Sequence, residues 1–487
     1  MNKKFEDIIA EQGKLVYTNV GNSMFPIVRE GDLLIIERVS APLQIGDVPL
    51  YKRDNGQYVL NRIADVKNGK YTMKGDNRTE MEKGVSDRHI IGVLTGIVRN
   101  GRTFPVETVQ DYTVRIAMDL IYLVSCAVNE KTPDAERVRQ MDLPEVYRLS
   151  QRHMLTAAVA FALETIMPLP HAFDQAKKKA IRKLSLFDIE RTAILHELDA
   201  AGIWHLPLKG ILLKNDYPKS AMRQMSDNDI LCDSTKMPEI RQIMERLGYT
   251  CDHYEWENHD TYSKPPVLEF EMHHSLFNED HFPLYFNYYR NIKAKLLPVE
   301  GTSACFRMTD EDFYLYDLVH TYKHETNAGS GLRALLDVYV FLRAHTGMNR
   351  AYLDAELKKL HLCDYEEKTR SLSQKLFTGA ALDEPEQIAL RSVVMAGYCG
   401  TQDTMEYNQM AKNLGNDDSN AAKRRFIKDR IFISGNALEK HYPFFAKHKA
   451  LYPVLLLYRP VKGALTHPKG ILKEYKRIIH FKKKEEP

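Results

Sequence analysis

Residues 206–233 read LPLKGILLKNDYPKSAMRQMSDNDILCD. The pattern predicts a short strand, a Lys209-Gly210 turn, a brief helix, a basic loop through Arg223, and a second strand carrying Asp227 and Asp229. Side chains alternate faces along a strand, so the two aspartates are expected on one face, about 7 Å apart. Two carboxylates opposite a Lys-Gly turn at a helix start, where backbone N–H groups can meet an anion, suit Mg2+ and a nucleoside triphosphate. An Asp-x-Asp pair is also common on exposed strand ends, and taken alone it leaves that alternative open.

The surroundings narrow it. Lys209-Gly210, Tyr217-Pro218, Arg223 and Asp227-x-Asp229-Ile-Leu are followed by a helix ending in Leu247-Gly248-Tyr249. Next come Phe270-Glu271-Met272-His273-His274, and later His320, His324, Arg333 and Asp337 around LRALLDVYVFL. In this order the block, from about Asp111 onward, resembles the poorly characterised bacterial nucleotidyltransferases of the DNA polymerase β-like superfamily. The resemblance implies an α+β core with helical flanks, an NTP substrate and Mg2+ (or Mn2+) as cofactor.

Nucleotidyl transfer in the two-metal scheme uses three carboxylates. Asp227 and Asp229 supply two, and Glu271 is the candidate third. PVLEFEMHH reads as an adjacent strand on which Glu269, Glu271 and His273 share a face, so Glu269 is the alternative. Lys209 and Gly210 are expected at the triphosphate, Lys as a point charge and Gly for close backbone approach, with Arg223 adding a forked phosphate contact. His273 is expected to orient a metal-bound carboxylate, with acceptance of the acceptor's proton as the alternative. His320 and His324, at i and i+4, read as packing or a substrate wall, with zinc as the sharper alternative. Arg333 and Asp337 share a face after the Gly329–Gly331 break, which predicts a helix ion pair unless the resemblance places them, with His324, in support of the site.

Upstream, apolar residues at three- and four-residue spacing predict helices over Val114–Asn129, Pro144–Ile166 and His171–Ala201, the last capped by Gly202. The first hundred residues are different. Strand patterns and Gly/Pro/Asp turns recur at short intervals and predict a small all-β domain after a short polar helix. Gly21-Asn22-Ser23-Met24-Phe25-Pro26, Gly31-Asp32, Gly46-Asp47-Val48, Gly75-Asp76-Asn77-Arg78 and Ser86-Asp87-Arg88 resemble, box by box, the signal peptidase and repressor-autoprotease superfamily. That resemblance makes Ser23 the position of a nucleophile. The base would stand at Asn61, whose amide cannot accept a proton at neutral pH. Lys52, Lys74 and His89 are the substitutes the sequence offers. The expectation is a degenerate fold that still binds an extended peptide.

Composition bounds the rest. With 487 residues, 44% hydrophobic and 27% charged, the chain is long enough for about three domains and is of globular character. Six cysteines without a Cys-x-x-Cys pair, no secretory leader and no apolar run of spanning length point to the cytoplasm. The net charge of +3 divides into about +9 over Lys440–Pro487 and about −6 elsewhere. A basic tail with nearby aromatics suits RNA, an acidic partner or a lipid surface, and equally a solvated helix end. The domains expected are residues 1–102 (β domain, with Arg99–Arg102 as its exit), 103–202 (helical), 203–345 (nucleotidyltransferase-like core) and 346–487 (helical, with a loop at Asn413–Asn420 and the basic tail). The function expected is nucleoside monophosphate transfer to an acceptor hydroxyl or phosphate, with a peptide or protein as the acceptor suggested by the fusion. A soluble serine peptidase using Ser23 and a non-catalytic peptide-binding protein are the alternatives.

Overall fold

A computed structural model describes residues 3–397, except 22, 26, 68, 77, 79, 80, 100, 257 and 328, together with short pieces between 432 and 459. Asn22, Pro26 and Asn77 of the N-terminal boxes, the Asn413–Asn420 loop and most of the basic tail, including all of it beyond residue 459, lie outside the described residues. The chain forms two compact units, Met1–Val114 with Thr401–Pro487, and Arg115–Gly400.

In the first unit, α1 (Phe5–Gln12) ends where Gly13 turns left-handed, and β1 (Lys14–Thr18) follows. Then come β2 (Leu33–Glu37), β3 (Pro49–Lys52), β4 (Tyr58–Leu60), β5 (Arg62–Lys67), β6 (Lys70–Lys74), β7 (Met81–Val85), β8 (Ile90–Arg99) and β9 (Arg102–Pro105). One sheet has the order β1-β2-β8-β3-β4 with β9 on β8, and β5-β6-β7 form another. Alternation builds the core: Leu34 and Ile36 of β2 are fully buried beside Leu50 and Ile97, while Leu33 and Glu37 face outward. Each such side chain contributes about 1.5–3 kcal/mol. At the expected exit from the domain, Arg99 of β8 pairs with Arg102 of β9.

The Gly-Asp boxes have local physical reasons. Gly31 sits at φ +87, a left-handed conformation that favours glycine. Asp32 then accepts the Arg29 N–H at 2.7 Å and the buried fork of Arg99 at 2.9 and 2.6 Å. Asp76 takes the fork of Arg62 in the same way, at 2.9 and 2.8 Å. These residues hold turns together whether or not the domain cuts a peptide.

Helix α2 (Val106–Val128) begins in the first unit and runs into the second, which continues through α3 (Ala135–Arg139), α4 (Leu143–Arg152), α5 (Thr156–Leu163) and α6 (His171–Ala200). Next are β10 (His205–Pro207), α7 (Gly210–Leu213), β11 (Asn228–Cys232), α8 (Met237–Arg246), β12 (Thr250–Trp256), β13 (His259–Lys264) and β14 (Leu268–His273). Helices α9 (Pro283–Tyr289), α10 (Asp310–Asn327), α11 (Leu332–Ala344), α12 (Arg350–Leu360), α13 (Cys363–Thr378) and α14 (Glu384–Ala396) complete it. The sheet runs β10-β11-β14-β13-β12, with β11 and β14 parallel and the other pairs antiparallel. Ile230, Phe270 and Met272 pack on Phe187 and Ile194 of α6 and Ile240 of α8. From the opposite side Leu206 and Leu231 join Phe313, Tyr316 and Leu318 of α10 and Val338 of α11. Among the described residues no helix is long and apolar enough to cross a membrane.

The single helix expected over Pro144–Ile166 is broken between α4 and α5, where Met154 adopts φ +54. Tertiary contact overrides the helical period here. His153, fully buried at the break, accepts the first N–H of α11, from Leu332, on Nδ1 at 3.1 Å. Burial and the neighbouring Arg152 lower its pKa to about 4. The folded state therefore keeps His153 neutral while the unfolded chain takes up a proton near pH 6.5. Stability should fall as pH drops from 6.5 towards 4, by up to roughly 3 kcal/mol from this group. Urea unfolding at pH 7 and pH 5 measures this loss. His153→Asn, whose Oδ1 can take the place of Nδ1, should shrink it.

Candidate metal and nucleotide site

β10 leads into Lys209, whose φ of +47 and ψ of −120 are unusual for a residue with a side chain. The turn brings Lys209 Nζ to 2.5 Å from Asp229 Oδ1, and that carboxylate holds the buried ammonium well above the usual lysine range. Gly210 is required by close approach: a Cβ there would lie 2.1 Å from Arg223 Nη1. Arg223 is itself locked, its Nε and Nη2 each donating to Asp337 at 3.0 Å while the Tyr217 hydroxyl donates to the same carboxylate at 2.6 Å. The fork expected at phosphate is thus directed at Asp337. Asp337, expected to pair with Arg333 along its own helix, ties α11 to the Lys-Gly turn. Arg333 Nη1 donates to the Gln224 carbonyl at 3.0 Å.

Asp227 lies just ahead of β11, and only Asp229 belongs to the strand. The chain before Asn228 is held by helices: Lys183 of α6 donates to the Ser226 carbonyl at 2.9 Å, and Gln224 Oε1 accepts the Ala157 N–H at 3.0 Å. Asp229 stands opposite Glu271 in the parallel β11–β14 register. Asp227, Glu269 and Glu271 present oxygens within 4.8 Å of one another. Burial, then the charge of Asp229, push the Asp227 carboxyl up to about 6. Burial and Glu271 raise Glu269 as well. Asp229 goes the other way, since Lys209 and His273 outweigh its burial and hold it well below the carboxylate range. Three crowded oxygen donors, two of them pushed towards protonation, fit a hard divalent cation such as Mg2+ or Mn2+.

A second grouping, His259, Glu271 and His273, also lies within 4.8 Å. Its chemistry differs. Asn258 Nδ2 donates to the Ser275 carbonyl at 2.9 Å and meets His273 Nδ1 at 3.2 Å. Both contacts come from the NH2 end of the amide, which suits an accepting Nδ1 and a proton on Nε2, while the Asp229 and Glu271 carboxylates outweigh burial and raise the His273 pKa above its ordinary value. That N–H points at Asp229 Oδ1, 3.1 Å away, with Glu271 Oε2 at 3.3 Å. His273 Nε2 thus stands between the Asp229 and Glu271 carboxylates. His259, the cross-strand partner of His273, reaches Glu271 Oε1 at 3.6 Å. No motif marks His259; only the hairpin register brings it in.

α10 supplies a third side. His320 and His324 lie with their Nε2 atoms 3.1 Å apart. Burial and Lys209 lower His320 well below the imidazole range, and burial and Lys323 bring His324 to about 4. Among the described residues neither belongs to a group of three metal-ligating side chains. Asp317 on the same helix carries no motif that would single it out, yet burial and Asp337 push its carboxyl up to about 7. Lys209, Arg223 and Arg333 are the cations that act on it.

In the first unit, the Ser23 hydroxyl has the Leu60 carbonyl at 3.5 Å, and Asn61 Nδ2 turns to the Tyr51 hydroxyl at 3.2 Å. Of the substitute bases, Lys52 is paired with Glu6 at 2.6 Å, and His89 Nδ1 sits 3.0 Å from the Ser86 N–H in a helix cap.

A search of the curated proteins finds no match. Residues 139–378, which contain every side chain placed above at the carboxylate cluster and around it, match the model of a family described as uncharacterised nucleotidyltransferase, and this similarity supports nucleotidyl transfer in general as the activity of the second unit.

Proposed function

We propose that the second unit transfers a nucleoside monophosphate from an NTP to an acceptor hydroxyl or phosphate, with Mg2+ or Mn2+. The observation that carries this is the crowding of Asp227, Glu269 and Glu271 within 4.8 Å, beside Asp229. In the reaction an acceptor oxygen bonds to the α-phosphorus as the bond to pyrophosphate breaks. The bound cations would neutralise charge on the triphosphate and align the acceptor. Asp227 and Glu271, with Glu269, would hold them; His273 would fix Asp229 and Glu271 in orientation. His273 has both ring nitrogens engaged, Nδ1 by Asn258 and Nε2 by Asp229 and Glu271, which supports a positioning role over that of a base.

The first unit is read as a non-catalytic recognition module, which favours a peptide or protein acceptor over RNA. Asn61 in the base position, with its amide on Tyr51, supports that reading over a peptidase. The test is incorporation of α-32P label from each NTP in cell lysate by wild type, Asp227→Asn, Glu271→Gln and Ser23→Ala. Label from wild type and Ser23→Ala alone is expected, and isolation of the product names the acceptor. Equal labelling by all four proteins would remove the proposal. Asp229→Ala is a poor probe, since it strands the Lys209 ammonium and the His273 N–H in a buried site.

A further inference from the structure

Residues 183, 187 and 191 fall at i, i+4 and i+8 on α6 and so share one face of the helix. All three meet the segments that carry the carboxylates. Lys183 Nζ donates to the Ser226 carbonyl at 2.9 Å, one residue before Asp227. Arg191 Nη1 donates to Asn228 Oδ1 at 3.0 Å, one residue after it, and both side chains are buried. Between them Phe187 packs edge-on against Phe270, the residue separating Glu269 from Glu271, with ring centroids 5.9 Å apart. Lys183 in turn sits over the Phe187 ring at 5.0 Å. One helix face thus fixes Asp227 from both sides and references it to the strand of its two partners. The loop ahead of β11 has left the ladder, so Lys183 replaces a strand neighbour there.

We propose that Lys183 is a positioning residue for the metal-binding carboxylates, setting Asp227 relative to Glu269 and Glu271 through the Ser226 carbonyl. This rests on the metal site of the proposed function. The sign of its effect separates positioning from charge. Deleting a cation beside a cluster of carboxylates would by itself tighten divalent cation binding, whereas losing the clamp weakens it.

The experiment is Mn2+ binding to the full-length protein, followed by the paramagnetic resonance of free Mn2+, for wild type, Lys183→Met, Lys183→Gln and Lys183→Arg, with melting temperatures and the KM for NTP measured alongside. Both neutral variants should bind Mn2+ about tenfold more weakly or worse, as expected for lost support of a metal ligand. Lys183→Arg should restore most of the affinity, and the KM for NTP at saturating Mn2+ should stay unchanged. Equal or tighter Mn2+ binding by both neutral variants overturns the proposal, including when their melting temperature falls, because Lys183 is then only a strut. A raised KM for NTP with unchanged Mn2+ affinity overturns it too, making Lys183 a phosphate contact. A wild type that binds no Mn2+ defeats the metal site itself, a failure visible without any variant.

Discussion

Asp227→Asn is expected to lower label transfer by about 10^3-fold or more, since neutralising a metal ligand removes several kcal/mol of transition-state stabilisation. The same substitution should raise the melting temperature of the metal-free protein. Burial, Asp229 and Glu271 push the Asp227 carboxyl from 3.8 up to about 6, while Lys209 only partly offsets them. A raised carboxylate pKa works against folding once the group ionises. Below pH 3.8 Asp227 is protonated in both states; its penalty grows as pH rises towards 6 and is complete above it. At pH 8 the penalty is about 3 kcal/mol, and Asn, uncharged and nearly isosteric, relieves most of it. Mg2+ relieves it differently, by binding the folded state, and stabilises the wild type by linkage. Melting curves at pH 8 with and without Mg2+ therefore have an ordered outcome: metal-free Asp227→Asn above metal-free wild type, and a rise with Mg2+ only in wild type. An Asp227→Asn protein that melts below wild type without metal would place the carboxylate in ordinary solvent and leave the site without its crowding.

Such opposition between stability and activity explains what was legible in the chain. Glu269, Glu271 and His273 could be put on one face because period two is a local property of a strand, and LEFEMH forms one. Its parallel pairing with β11 follows from two apolar runs that both need burial. Asp227 could not be placed the same way. Whether a strand extends one residue further depends on what holds its end, and here that is the sequence-distant Lys183 and Ala157, donating to the Ser226 carbonyl and the Gln224 side chain. The α4–α5 break is of the same kind, fixed by the N–H of Leu332, 179 residues away from His153.

The cations show a further limit. Lys209 and Arg223 were legible as residues that matter beside an anion, but charge pattern does not say which anion. Both sit in a low-dielectric interior where an unpaired charge is expensive, and each has found a carboxylate of this chain, Asp229 for Lys209 and Asp337 for Arg223. His259 and Asp317 were invisible for a simpler reason: a single histidine in a hairpin or a single aspartate in a helix has no spacing to read. Only the fold gives them neighbours.

Asp337→Ala is expected to be the most destabilising single change in the second unit, by roughly 3–5 kcal/mol, the range for removing one partner of a buried ion pair. Asp337 is 5% exposed and Arg223 7%, and the carboxylate accepts both nitrogens of the guanidinium fork and the buried Tyr217 hydroxyl. Truncating it leaves the Arg223 charge and the Tyr217 hydroxyl without this carboxylate in a buried space. The pair itself is not the source of the stability. Arg223→Met with Asp337→Leu removes both charges and should recover most of the loss, because two apolar side chains of similar size need no desolvation. Urea unfolding of wild type, the single variant and the double variant measures the difference. Activity should not follow stability back. Arg223 Nη1 lies where a Gly210 Cβ would be, so the guanidinium is the surface on which the Lys209 turn rests. A methionine there refills volume without fixing Lys209 at Asp229. A double variant that is stable and still fails to transfer label would show that the fork on Asp337 serves the site by geometry; full recovery of transfer would reduce Arg223 and Asp337 to a replaceable piece of core.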